Sequence, residues 1–498
     1  MNYTLSENTL LHLSEFIASN LALNFPKERW NDLERNIIYA SKEFGYKEAE
    51  NFVQRILTSP LTHEHIEILT AHLTINETYF WREPQTFEAL EQKILPDLIS
   101  RRQNGNRRLR IWSAGCATGE EPYSIAIALN RIIPNINDWN ISILATDISP
   151  RILRKATTGE YSQWSFRGTP HWLKENYFIK KPNNKYEIIP QIKNMVKFEY
   201  LNLAEDVYPS SVNDTNAMDI IYCRNVLMYF TQERFREVAR SLFNSLVLGG
   251  YFVVSASELS MLNFPDFLPV NVPGMVLYQK TSKKVKDRFN FTVEETPTAP
   301  VVFQMTPKSE QPVEFIKPQP QQIEKENIEI EEVSKPIDPV NEKALDSYSQ
   351  GNYGGVIDKL QKDNLTSEEQ ILLIRAFANQ GKLIEAIESC KIAITANKID
   401  PRLHYLYATI LQENNQMDEA IASLKRAIYL DSDFVLSYYS LGNIYQHLGK
   451  INNAKKSFQN ALTILNKSGR EDILFESEGL TTGRFKEIIN ASIQAGAL

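Results

Sequence analysis

The run Ile111–Ala126, IWSAGCATGEEPYSIA, constrains the fold of this chain more than any other stretch. Its start, LRIWSA, is apolar and long enough for one buried strand. Gly115-Cys-Ala-Thr-Gly119 permits a sharp turn and a close approach of backbone to a ligand. From Tyr123 to Ile133 the apolar residues recur at helical spacing. Strand, glycine turn and helix form the opening unit of a doubly wound α/β domain, with ligand space at the helix N-terminus. The pair Glu120-Glu121 at that turn would repel a pyrophosphate but not a cationic or hydroxyl-rich ligand. No Gly-Lys-Ser/Thr follows, so the turn is not a P-loop. By itself it also remains compatible with a tight turn of purely structural purpose.

A chain of 498 residues accommodates two to four domains, and 43% hydrophobic content supplies sizeable cores. A net charge of −7 does not indicate nucleic-acid binding by bulk charge. Cys116, Cys223 and Cys390 are neither clustered nor at metal-ligand spacing, which fits a reducing cytoplasm without disulfides. The start, MNYTLSENTLLHLSEF, lacks the basic and apolar regions of a signal peptide, and no apolar run approaches the roughly 20 residues of a membrane helix. A cytoplasmic protein without membrane insertion is expected. His63, His65 and His72 do not share one helix face, so no metal site is expected there.

Residues 1–75 read as a small helical domain, with Leu10, Leu13, Phe16 and Ile17 at helical spacing and Ser6, Asn24 and Thr62 as candidate caps. Residues 76–282 form the second domain, where a linker and helix lead into alternating strands and helices. Strands are predicted near 109–114, 141–147, 196–201, 218–224 and 250–256, followed by 267–271 and 275–280 around the turn signal Pro273-Gly274. This alternation implies a mostly parallel sheet covered on both faces, closed by an antiparallel hairpin. About 177–193, YFIKKPNNKYEII reads as a small inserted hairpin. An acidic residue ending the second strand, Asp147, stands where such folds bind ribose hydroxyls.

Five blocks in order, NETYFWREPQTF, WSAGCATGEEPYSIA, ATDIS, YLNL and CRNVLMYF, carry a resemblance to the CheR-type chemotaxis-receptor methyltransferases, extending over roughly residues 10–280. The resemblance implies S-adenosyl-L-methionine (SAM) as cofactor, a Rossmann-like methyltransferase domain with a small β insertion, and glutamate side chains of chemoreceptor cytoplasmic helices as substrate. It places Arg82 and Tyr229 near the transferring methyl group, as catalytic residues. It implies that Asn76, Thr78, Arg82, Glu121, Asp147, Asn202, Leu203, Arg224 and Asn225 contact SAM. The residues alone leave other roles open: a surface ion pair of Arg82 with Glu83 or Glu88, a core position for Tyr229, a capping role for Thr78, and Glu120 in place of Glu121. Family members that dock on a receptor's C-terminal pentapeptide carry Gly-x-Gly in the inserted hairpin; KKPNNK has no glycine, so recognition here is expected to be pentapeptide-independent.

Residues 283–340 are punctuated by prolines from Pro297 to Pro339 among Gln, Glu and Lys, as in an extended or disordered linker. Residues 341–467 repeat internally: Ala386, Ala420 and Ala454 are 34 apart, as are Ala393, Ala427 and Ala461, and Gly381, Asn415 and Gly449 keep the step. This is the tetratricopeptide (TPR) period, an all-α solenoid of three clear repeats with a degenerate copy before them near Gly351. Residues 468–498 are expected to end in a helix capping the last repeat. The solenoid groove calls for a protein partner, which the sequence does not name. With so long a linker the two halves are expected to share little obligatory interface. A competing reading is a catalytically silent SAM-binding scaffold that works through its TPRs; the presence of Arg82, Asp147 and Tyr229 favours the enzyme.

Overall fold

The computed structural model describes residues 5–21, 23–59, 61, 63–74, 77–102, 107–258, 267–281, 342–361, 365–470, 472–477 and 480–495. The linker read from composition at 283–340, the cap Thr62 and the site residue Asn76 lie outside these residues.

The N-terminal region is helical, as its periodicity predicts: α1 (Glu7–Leu21), α2 (Trp30–Glu43), α3 (Ala49–Thr58) and α4 (His63–Leu73). Ser6 Oγ accepts the Thr9 N–H at 3.1 Å and caps α1. Leu10, Leu13 and Ile17 then face Leu33 and Ile37 of α2 and Phe52 and Ile56 of α3 in one fully buried cluster. Asn24 caps nothing. Its backbone N–H donates to Tyr229 O at 2.7 Å, so the chain after α1 is tied to the CRNVLMYF segment instead. Arg151 to Glu43 (2.7 Å) and Arg154 to Glu67 add ion pairs between this bundle and the next domain.

The helical rod α5 (Pro84–Ala89) and α6 (Leu95–Arg102), joined by a π-helical turn, leads into that domain. There follow β1 (Arg108–Ala114), α7 (Glu120–Ile132), β2 (Asn140–Asp147), α8 (Pro150–Thr158), β3 (Glu160–Tyr161), α9 (His171–Tyr177), β4 (Phe178–Lys180), β5 (Tyr186–Ile188), α10 (Pro190–Lys193), β6 (Val196–Tyr200), β7 (Met218–Tyr222), α11 (Gln232–Ser245), β8 (Leu246–Val253), β9 (Phe267–Val272) and β10 (Met275–Lys280). The main sheet runs β6-β2-β1-β7-β8-β10-β9, with the first five strands parallel and the last two antiparallel. The order reverses at β1, which opens a crevice at the carboxyl ends of β1, β2 and β7. Along β1, Leu109 and Ile111 join the core under α5, α6 and α7, while Trp112 and Ala114 join the opposite core under α11. The fifth parallel strand begins earlier than predicted. Its register on β7 shifts between Leu246 and Tyr251, around Gly249 at φ +79°. The inserted hairpin β4–β5 is larger than read: β5 pairs with β3 on its other side, making a three-stranded sheet in the order β3-β5-β4.

Among the described residues the C-terminal region holds four helix pairs: α12 (Glu342–Ser349) with α13 (Tyr353–Leu360), α14 (Ser367–Asn379) with α15 (Leu383–Ala396), α16 (Pro401–Glu413) with α17 (Met417–Leu430), and α18 (Val435–His447) with α19 (Ile451–Leu465). The degenerate copy near Gly351 is thus a complete pair. Gly351, Gly381, Asn415 and Gly449 all end a first helix in the left-handed region, at φ +61° to +72°, which explains why glycine or asparagine keeps that step. Ala386, Ala420, Ala454, Ala393, Ala427 and Ala461 are buried where the helices cross, and a larger side chain there would force them apart. The tail forms α20 (Thr482–Ala495), whose Phe485, Ile488 and Ile489 close the last repeat against Tyr439 and Phe458.

The expectation of two halves with little shared interface is overturned. Glu413, at the end of α16, receives Arg108 Nη2 at 2.7 Å and Asn216 Nδ2 at 2.8 Å, while its backbone carbonyl takes Asn140 Nδ2 at 3.1 Å. These partners stand at the amino ends of β1, β7 and β2, opposite the crevice. Val207 and Val212 join the apolar cluster of the last repeats, and Arg484 of α20 pairs with Asp206. A long linker sets how far two domains can part, not whether their surfaces match. Among the described residues no helix is long and apolar enough to cross a membrane.

Candidate active site

The turn after β1 is bound tightly to β2: the N–H groups of Gly115 and Cys116 both donate to Thr146 O, at 2.8 and 2.9 Å. A Cβ on Gly115 would lie 2.3 Å from Val226 Cγ2, so only glycine lets the two loops meet. Asp147 closes the turn. One carboxylate oxygen accepts the Ala117 N–H at 2.9 Å and the other the Ser149 N–H at 3.0 Å. Burial pushes this carboxyl up, and the backbone donors oppose the shift.

Two hollows adjoin over the strand ends. The inner one is walled by Leu21, Leu23, Ile148, Leu201 and Leu203, with Thr74, Asp147, Asn202 and Asn225 among its polar groups. The outer cleft, about 460 Å³, is lined by Thr78, Tyr79, Arg82, Glu121, Arg167, Arg224 and Met228. Gly115, Ala117, Asn225 and Tyr229 border both. Backbone strain gathers here: Trp81, Glu83, Ala117 and Asn225 are non-glycine residues at φ +47° to +59°. Each such residue costs on the order of 1–3 kcal/mol and persists only where packing enforces it.

The two acids of the turn separate. Glu120 is buried and bonds Thr118 Oγ1 at 2.6 Å, away from the cleft. Glu121 lines the cleft, accepting from Ser113 Oγ at 2.8 Å and from Arg224 Nη1 at 3.0 Å. Arg224 is therefore not a free cation. Its guanidinium is shared between Glu121 and Glu83 (3.0 Å each) and donates to Arg82 O at 2.9 Å. It holds the two sides of the cleft together. Arg82 donates to Glu77 O at 3.1 Å and has no acidic partner among the described residues, so the alternative of an ion pair with Glu83 or Glu88 is not what the chain forms. Tyr229 sits on a short 3₁₀ turn, half-buried, with Arg29 5.5 Å above its ring. Burial pushes its phenol up.

Sequence reasoning overlooked Glu258 and Arg167. The Glu258 carboxylate accepts from the N–H groups of Asn225 (2.9 Å), Val226 (2.9 Å), Met228 (3.3 Å) and Ser255 (3.1 Å), and so holds the whole Arg224–Tyr229 loop in place. Arg167 lies over Tyr79 at 4.3 Å and over Trp164 at 4.7 Å, and its Nη2 reaches Glu77 at 3.1 Å. Neither residue belongs to a motif.

The residues fit a bound SAM. Apolar walls suit a base, the backbone-held Asp147 suits a ribose diol, and Asn225 Oδ1 is buried with no hydrogen-bond partner among the described residues. An acceptor left open at the border of the two hollows matches a ligand that carries an ammonium group.

Residues 76–269 match the model of the CheR methyltransferase SAM-binding domain, and 408–449 and 435–464 match TPR repeat models. A chemotaxis protein methyltransferase of Borreliella burgdorferi is 31% identical over 260 residues, spanning 52% of this chain and 90% of the relative. Chemotaxis protein methyltransferase 1 of Pseudomonas aeruginosa is 37% identical over 226 residues, spanning 45% of this chain and 79% of the relative. A probable biofilm formation methyltransferase of Pseudomonas aeruginosa, WspC, runs through both halves at 24% identity, spanning 88% of this chain and 94% of the relative.

Proposed function

Because the chain belongs to the CheR family of chemotaxis protein methyltransferases, which use SAM, we propose that it methylates glutamate side chains on the cytoplasmic helices of chemoreceptor-type proteins. The observation that carries this reading is Arg82, a cation without an acidic partner among the described residues, in the cleft that adjoins the cofactor pocket.

SAM supplies an electrophilic methyl group on a sulfonium. The attacking glutamate, with an ordinary pKa of about 4.3, is already ionised at neutral pH, so the site needs no general base. What the chain must provide is orientation and exclusion of water. In this reading Arg82 holds the incoming carboxylate through two parallel N–H bonds. The Tyr229 hydroxyl, protonated at neutral pH and pushed further from ionisation by burial, serves as a donor in this reading. Thr78, Glu121, Asp147, Asn202, Leu203 and Asn225 would hold the cofactor, with Arg224 fixing Glu121 and the Arg82 backbone.

Purified protein supplied with methyl-labelled SAM and isolated receptor signalling helices should transfer label that base releases as methanol, the signature of an ester. Label that resists base, or none on glutamate, overturns the reading. Arg82→Ala should lower turnover about 100-fold and Tyr229→Phe about 10-fold, each leaving S-adenosylhomocysteine affinity within a few-fold. Equal losses in turnover and affinity would reassign both residues to cofactor binding.

Receptor recognition does not rest on a pentapeptide tail. The β4–β5 turn, Lys181–Lys185, is closed by the Lys181 N–H on Lys185 O at 2.8 Å and offers no glycine backbone for a peptide strand to approach. Titrating a receptor C-terminal pentapeptide should give a flat calorimetric trace to at least about 100 μM, an affinity weaker than about −5.5 kcal/mol. A clear isotherm would contradict this. The TPR array is assigned to a protein partner, in keeping with the use of such grooves.

A further inference from the structure

One wall of the inner pocket is the loop that follows β6, Leu201–Asp206. Tyr208 Oη donates to Leu203 O at 2.7 Å and Asn202 Oδ1 accepts the Ala204 N–H at 3.0 Å, and a buried carboxylate ties in the start of the loop. Asp206 Oδ2 accepts the Asn202 N–H at 2.5 Å, while Asn202 O takes the N–H groups of Glu205 (3.2 Å) and Asp206 (2.9 Å), closing the loop on itself. That carboxylate is only 3% exposed, too little for water to satisfy its charge. The compensating charge comes from the far end of the chain. Arg484, in the first turn of α20, donates Nε to Asp206 Oδ1 at 2.6 Å and Nη2 to Oδ2 at 2.8 Å, a two-pronged pair spanning 278 residues of sequence. Arg484 also lies 4.4 Å over the ring of Tyr200, the last residue of β6, and Glu487 fixes it from its own helix at 2.8 Å. Its helix is anchored in turn by Phe485, Ile488 and Ile489 in the core of the last repeats.

We infer that Arg484 is a positioning residue for cofactor binding: by pairing with Asp206 it holds the loop after β6 as a wall of the SAM pocket, so that docking of the repeat array and affinity for SAM are linked. Without Arg484 the buried Asp206 carboxylate loses its counter-charge and turns toward water. That movement loosens its bond to the Asn202 N–H and lets the wall open. Linkage runs both ways, so the ligand must also stabilise the docked α20. The inference rests on the cofactor pocket proposed above.

The test compares wild type with Arg484→Ala, Arg484→Lys and Arg470→Ala by calorimetric titration with S-adenosylhomocysteine and by initial rates. Arg470 pairs with Glu487 of the same helix, has no bond to Asp206, and serves as the control. Arg484→Ala should weaken affinity about 10-fold and raise the KM for SAM equally, with kcat within twofold; Arg484→Lys should fall between, and Arg470→Ala should match wild type. A variant that only loses folded protein would lower kcat and leave KM in place, and that result overturns the inference, as does Arg484→Ala within twofold of wild type in both constants. Hydrogen exchange on the unaltered protein decides the matter where Arg484→Ala does not fold. Saturating S-adenosylhomocysteine should slow exchange in Leu201–Asp206 and in the first turn of α20 together; slowing of the loop alone overturns the linkage. If wild type itself does not titrate, the cofactor-pocket reading fails first, and this inference with it.

Discussion

Glu413→Ala should destabilise the protein by about 3–5 kcal/mol, the effect of leaving a buried charge unpaired. Arg108 and Arg110 are almost fully buried beside Glu413, 2% and 6% exposed in their side chains. Burial already pushes Arg108 down to about 10, and Glu413 is the main group opposing that shift. Removing the carboxylate also leaves Asn216 without the acceptor it has at 2.8 Å. The expected readout is a melting temperature lower by about 10 °C. Glu413→Gln, which keeps one acceptor, should fall less far. The same contacts predict that protease cleavage within the linker leaves the two fragments together on a sizing column. Fragments that separate, with no change in melting for Glu413→Ala, would show that the repeats do not dock on the sheet in solution.

Asp147→Ala should weaken S-adenosylhomocysteine binding at least about 100-fold, or roughly 2.7 kcal/mol. Two losses combine. The ribose would lose its proposed carboxylate partner, and the Ala117 N–H loses its acceptor at 2.9 Å, in a residue already held at φ +47°. The strained turn after β1 is then free to relax, and the pocket border goes with it. Asp147→Asn retains one acceptor oxygen and should lose about 10-fold. Calorimetry measures both, with circular dichroism showing that the variants are folded. Affinity unchanged in a folded Asp147→Ala protein would place the cofactor elsewhere.

What the sequence by itself determined is whatever local pattern encodes. The turn from Gly115 to Gly119 between an apolar strand and an amphipathic helix specified the first β-α unit, because turn chemistry and helical period are written over a few consecutive residues. The 34-residue step specified the solenoid, down to the left-handed Gly381, Asn415 and Gly449, because each repeat solves the same packing problem with the same small residues. The ordered blocks pointed to Arg82, Asp147 and Tyr229, and each of the three borders one or both of two adjoining hollows. Only the tertiary structure decided which way each side chain turned and what it met. Glu120 and Glu121 are neighbours in one motif, yet one bonds Thr118 and the other faces the cleft. Asn24 resembles a helix cap and instead binds the backbone of Tyr229. Glu258 supports a whole loop from a segment, SASELS, with no pattern of its own. The docking of the repeats through Glu413 and Arg484 lay furthest from view. A pair joining residues hundreds of positions apart leaves no period, spacing or turn signal in the chain, and a lone arginine on a helix looks the same whether it faces water or a buried aspartate.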